Sequence, residues 1–182
     1  MSRRVKRPLH ASTALGAMAH HGFELAAGVG LVFQPYLGLA GAAGLWGVGL
    51  PGWLAVSARG SGRWERPLAF LQGLSAGAAV VHYTLWPTVR RRGLPWLVRA
   101  EGLRPGQLPA YNTLLYLWAA AAMAGLAMET PAEARPWAVP GFLAAFALRP
   151  SARYHFTWIR QQAAANPAWW NRALDGLRAQ QA

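Results

Sequence analysis

The sequence predicts an all-α integral membrane protein: a bundle of about five hydrophobic helical segments making four or five crossings, followed by amphipathic C-terminal helices. Three observations lead there. The chain has 182 residues, 54% of them hydrophobic and only 13% charged, too apolar for an ordinary soluble domain. From Leu25 to Ala58 it carries no Lys, Arg, Asp or Glu, a run longer than one bilayer crossing requires. Its basic residues, which bring the net charge to +12, flank the apolar segments instead of forming a patch with base-stacking aromatics. Anionic lipid headgroups, not nucleic acid, are therefore the expected partners. The chain has no cysteine, which excludes disulfides, thiolate metal sites and iron-sulfur clusters. Heavy use of Ala, Gly, Pro and Arg points to a GC-rich bacterial genome and so to an inner membrane.

The segments follow in order: a basic N-terminus over 1–10, a transmembrane bundle over 11–148 and a basic interfacial tail over 149–182. Ala11–Phe33, Pro35–Ala58, Pro67–Trp86 and Leu108–Met128 each reach the roughly 20 residues that a crossing needs. Trp137–Leu148 is shorter and crosses only by recruiting its flanks. Ala17-Met18-Ala19 has the A-x-A form of a cleavage site, but the apolar stretch before it is short and interrupted, so an uncleaved first helix is expected. Trp53, Trp64, Trp86, Trp96 and Trp137 lie at or near segment ends as an aromatic belt. Gly38, Gly41, Gly44 and Gly47 in the second segment, and Gly73 and Gly77 in the third, read as close-packing faces. In the tail, Asn166 and Pro167 are expected to start an amphipathic helix with Trp170, Leu174 and Leu177 on its apolar side.

Charge makes the topology ambiguous. With five crossings and the N-terminus inside, 8 basic residues fall inside and 10 outside, against the positive-inside rule. If Pro67–Trp86 enters and returns, or packs without crossing, the balance becomes 17 to 1, with the N-terminus, Arg90–Arg92 and the tail all cytoplasmic. A 20-residue apolar run normally spans, so the two lines of reasoning conflict.

The chemistry is expected where ionisable groups interrupt apolar helix. Glu24 is the only acidic residue inside an apolar segment. A charge at bilayer centre costs roughly 2.5–3.5 kcal/mol on insertion scales, so this carboxyl must be protonated, paired or turned to a wet cavity. His20 and His21 stand four and three residues before it, on one side of the helix. In the third segment Gln72, Ser75, Ala79, His82 and Trp86 share a face and make His82 a cavity candidate. Tyr111, Asn112 and Tyr116 add polar groups to the fourth. Arg149, Arg153 and Arg160 form a one-sided basic stripe suited to lipid headgroups, Arg149 and Arg153 being candidate ligands of a phosphorylated one.

Glu24, His20, His21 and His82 are thus the expected catalytic residues, and Gln72, Tyr111, Asn112, Tyr116, Arg149 and Arg153 the expected substrate contacts. The set suits acid-base chemistry or binding of a hydrophobic small molecule of isoprenoid, sterol-like or lipid class. A proton- or cation-coupled transporter or channel subunit would use the same residues, and a structural accessory subunit would use them only for packing. A homo-oligomer or a membrane-complex subunit is compatible with the glycine faces. No Asp-rich pair, Walker loop or G-x-S-x-G elbow is present. His20, His21, Glu24 and His82 would by donor type also suit an iron, zinc or haem site, but adjacent helical histidines diverge by about 100° and rarely ligate one ion, so acid-base use is preferred and no metal or cofactor is assigned.

Overall fold

The computed structural model describes residues 6–175. It is mostly helical: α1 Pro8–Ala27, α2 Gln34–Arg59, α3 Glu65–Leu85, a hairpin of β1 Thr88–Arg91 and β2 Leu94–Leu97, α4 Leu108–Met128, α5 Ala138–Ala147, α6 Arg149–Ala165 and a short α7 Arg172–Asp175. Among the described residues three helical stretches are long and apolar enough to cross a membrane: Gln34–Arg59, Gly62–Leu85 and Pro105–Met128. α1 falls outside this group because its polar side chains lower its hydropathy, and it spends them inside the bundle, where His10, Thr13 and His20 are buried.

Local chemistry sets each end of α1. Pro8 opens it, and the free N–H groups of Leu9 and His10 donate to Glu129 Oε1 and Oε2 at 2.8 and 2.9 Å, a cap supplied from the far end of α4. Gly28, at φ +89°, closes the helix in the left-handed conformation that favours glycine. The chain then turns into α2, which is interrupted at Gly38, where φ and ψ leave the helical region.

Contacts between helices give their directions. Buried Arg7 donates to the Gly60 carbonyl at 3.1 Å and pairs with Glu65 at 3.5 Å, so α1 and α3 start side by side. Gln72 Nε2 and His10 Nδ1 are 2.6 Å apart, and His10 Nε2 is 3.1 Å from Thr130 Oγ1. At the other end of these helices Tyr111 reaches Glu24 and His82 lies beside it. Hence α3 runs continuously and parallel to α1, with α4 antiparallel to both. This corrects the re-entrant reading: Pro67–Trp86 does not turn back, and Arg7 and the Arg90–Arg92 hairpin sit at opposite ends of the bundle.

Glycine decides the tightest crossing. A Cβ on Gly73 would overlap the Ala138 carbonyl, one on Gly141 the Phe70 carbonyl, and one on Gly77 would meet Phe142 O at 2.6 Å. α3 and α5 therefore pack backbone to backbone, as the Gly73/Gly77 pair predicts. The stripe on α2 behaves otherwise: a Cβ at Gly38, Gly44 or Gly47 meets nothing within 4 Å, and at Gly41 only Leu37 of the same helix. Within one chain it is not a packing face.

The loop expected over 87–107 contains the hairpin, turned at Arg92 (φ 50°) and Gly93 (φ 82°). In the tail Leu174 is buried with Ile159 and Ala163 of α6, and the half-buried Trp170 stacks on Trp158 at 6.0 Å, so these two members of the apolar side pack on α6. Helix starts there only at Arg172, because the Asn171 side chain accepts the Ala168 N–H and holds a turn, and Leu177 lies outside the described residues. The belt divides: Trp64, Trp96 and Trp137 lie under the guanidinium groups of Arg63, Arg91 and Arg66, whereas Trp53 and Trp86 face an interior cavity.

Candidate functional site

α1, α2, α3 and α6, with Trp118 of α4 and Ala145 of α5, line a partly open cavity of about 420 Å³. Its wall is almost wholly apolar, with Leu50, Leu74, Trp86 and Phe156 among its members; its polar members include His21, Ser75 and His155, and His20, Glu24 and His82 stand together. The i, i+4 spacing on α1 brings His20 Nε2 to 3.6 Å from Glu24 Oε2. Across the helix interface His82 Nε2 stands 3.9 Å from Glu24 Oε1. The Tyr111 hydroxyl donates to that same Oε1 at 2.7 Å.

Each ring is held in place. His20 is 4% exposed, stacks on Trp118 at 5.0 Å between centroids and meets His82 edge-on at 4.8 Å. Its Nδ1 is buried without a protein partner. Gly16 makes room for Trp118, since a Cβ there would come within 2.7 Å of the indole. His82 Nδ1 lies 2.6 Å from the Ala78 carbonyl one turn back and His21 Nδ1 lies 2.9 Å from that of Ala17. A carbonyl only accepts, so both Nδ1 atoms carry a proton and donate. His21 points away from Glu24 and packs on Trp46 at 4.1 Å.

The polar residues expected from sequence thus separate into those the fold gathers and those it uses elsewhere. Glu24, His20, His82 and Tyr111 meet in one cluster, and His21 lines the cavity without pairing with Glu24. Gln72 is turned to His10, away from the cavity. Asn112 is fully buried and clamps the hairpin: its Oδ1 accepts the Leu97 N–H at 2.8 Å, and its Nδ2 donates to the Leu97 and Leu108 carbonyls at 3.0 and 2.8 Å. Tyr116 donates to the Pro95 carbonyl. Its i, i+4 spacing from Asn112 covers about 6 Å of helix, close to the roughly 6.8 Å between alternate strand residues, which lets one helix face hold the outer edge of β2.

Arg149 donates to the Thr84 carbonyl at 3.3 Å and lies outside the cavity lining. Arg153 lines a smaller adjacent cavity of about 230 Å³ with Arg160, which is paired with Glu101.

His155 is a residue that sequence reasoning missed. It is buried on α6, lines the main cavity, and its Nε2 is 3.1 Å from the Val29 carbonyl. Burial holds this imidazole below its ordinary value against the opposing pull of Glu24 and of that carbonyl. The available signal was periodicity: His155 shares its helix side with Ala152 and Ile159, the side α6 buries, whereas attention to the arginines leads to the other face. Compared with models of known protein families, with curated proteins and with solved structures, the chain matches none.

Proposed function

We propose that this chain is an inner-membrane protein that takes a hydrophobic small molecule, of isoprenoid, sterol-like or lipid class, into its cavity and moves a proton at the molecule's polar or unsaturated end. One observation carries the reading: the His20/Glu24/His82/Tyr111 cluster stands against a cavity of about 420 Å³ that is otherwise apolar. That volume lies within the roughly 300–1,000 Å³ range of small-molecule sites. A few polar groups clustered in a largely apolar wall orient a ligand, because most other directions offer it no hydrogen bond. Three apolar helices of crossing length support the membrane setting, and α1 and α5 complete the passage of the chain between the two ends of the bundle.

Within this reading Glu24 exchanges the proton. Tyr111 holds one carboxylate oxygen, and His20 and His82 set its charge from either side. The lipid tails of a membrane offer no competing acid or base, so proton exchange is confined to groups the protein supplies.

The test uses two variants purified from host membranes at matched folded yield, with their bound small molecules extracted and compared by mass spectrometry. Gly49 lines the cavity and a Cβ there meets open space, so Gly49→Trp can fill the cavity without a clash at its root. Wild-type protein is expected to carry an enriched apolar compound that Gly49→Trp lacks. Glu24→Gln keeps the shape but not the titratable proton, and is expected to retain the compound while losing turnover. Identical extracts from wild type and Gly49→Trp would remove the cavity as a binding site.

A further inference from the structure

We propose that His20, Glu24 and His82 together bind a first-row divalent transition ion, of the zinc or iron(II) kind, with an open coordination position facing the cavity. This deepens the proposed function and rests on it only for the identity of what the ion acts upon. The donor atoms of the three side chains lie within 4.8 Å of one another.

Their separations match an ion better than they match hydrogen bonds. A nitrogen–oxygen hydrogen bond spans about 2.7–3.2 Å, and a water bonded to both groups would hold them about 4.5 Å apart. Ligands about 2.1 Å from a tetrahedral ion sit about 3.4 Å from one another. The two His–Glu distances, 3.6 Å to Oε2 and 3.9 Å to Oε1, lie nearer the ligand spacing than the hydrogen-bond range, and the three side chains, whose donor atoms all fall within 4.8 Å, would draw together on binding.

Proton placement points the same way. With Nδ1–H of His82 committed to the Ala78 carbonyl, Nε2 is the nitrogen left to face Glu24, and its lone pair is the one the ring can offer to an ion placed between them. A backbone-bonded Nδ1–H is also the arrangement that orients a ligating imidazole. Tyr111 supplies the corresponding partner for the carboxylate.

The usual objection to neighbouring histidines does not arise here. His21 is turned to Trp46, and the second imidazole comes from α3 at the depth of His20, with ring centroids 4.8 Å apart. Two imidazoles and one carboxylate, with no thiolate available, suit a borderline ion and not the all-oxygen preference of Mg²⁺ or Ca²⁺. Three protein ligands leave a position for water, whose acidity such an ion raises to near neutrality. That water would take over at the cavity wall the proton exchange otherwise carried by Glu24, whose carboxylate would then be a ligand of the ion.

The experiment is a Co²⁺ titration of the full chain in lipid nanodiscs after chelator treatment, followed by visible absorption and by metal analysis. One Co²⁺ per chain is expected, with the absorption of a nitrogen- and oxygen-ligated site, and X-ray absorption of the bound ion showing about two imidazoles. His20→Ala and His82→Ala, compared on the monodisperse fraction, should each weaken binding at least 100-fold. Tyr111→Phe should weaken it about 10- to 100-fold, and His21→Ala should bind as wild type does. No stoichiometric binding by folded wild type, binding that survives both ligand variants, or scattering without imidazole overturns the proposal. An extracted compound still displaced by Gly49→Trp in a chain that binds no cobalt would refute the ion and leave the small-molecule reading standing. A bound ion with no displaced compound would do the reverse.

Discussion

Asn112→Ala separates a binding role from a structural one. In the hairpin the Val98 N–H donates to the Pro87 carbonyl, so the neighbouring pair Thr88–Leu97 is a non-hydrogen-bonded one, and the N–H and C=O of Leu97 point away from β1. Both turn to Asn112, and Leu97 and Asn112 are each 0% exposed. Truncation strands a buried donor and a buried acceptor, at about 1–3 kcal/mol each. With partial rehydration of a two-stranded edge, a total near 2–4 kcal/mol follows, or a fall in Tm of about 5–10 °C for a chain of this size. Thermal unfolding in nanodiscs measures the total, and hydrogen exchange should show it concentrated in residues 88–98. Retention of a cavity ligand should stay within twofold of wild type, because Asn112 does not line the cavity. An unchanged Tm together with lost ligand would refute this reasoning and restore Asn112 as a substrate contact.

Other outcomes follow from the same packing. Gly73→Ala should destabilise by at least about 2 kcal/mol, since its Cβ collides with the Ala138 backbone, whereas Gly44→Ala, open on all sides, should be neutral or stabilise by up to about 1 kcal/mol; unfolding of the two variants checks the contrast. Single cysteines introduced at 62 and 91 should label from opposite sides of a sealed vesicle, because α3 runs between them without turning back. Docking of α6 should weaken as pH falls below about 6.5, the ordinary value for histidine. The unfolded chain there binds a proton that the buried, less basic His155 does not, so stability present above that pH is lost beneath it. Limited proteolysis of α6 against pH should show the transition in wild type and not in His155→Leu.

What could be read without the fold was whatever depends on one helix alone. The i, i+4 relation of His20 and Glu24 and the buried side of α3 bearing His82 survive because helical periodicity fixes them. What a stripe meets is a property of its neighbours. Asn112 and Tyr116 share a polar face that would equally suit a ligand, and only the strand opposite makes it a clamp. That strand is hard to foresee, since Leu94–Leu97 grades from exposed to buried along its length and lacks the alternation that marks a half-buried strand. Gln72 lies on the His82 face by spacing, but ten residues of helix separate the two, enough to carry Gln72 to the His10 end of the bundle. The α2 glycines repeat every three residues where the α3 pair is spaced by four, and no neighbouring helix closes on them.

The central claim is that the interior cavity beside Glu24, and not the lipid-facing surface, receives an apolar molecule. Photolabelling of the reconstituted chain with a diazirine-bearing long-chain alcohol, followed by mass-spectrometric mapping of the modified residues, tests it directly. The account predicts adducts concentrated on Leu74, Ala78, Trp86 and Glu24, which line the cavity, and a loss of at least tenfold in Gly49→Trp. Adducts spread over the outward-facing Val48, Leu117 and Met123, with no enrichment inside and no effect of Gly49→Trp, would contradict it.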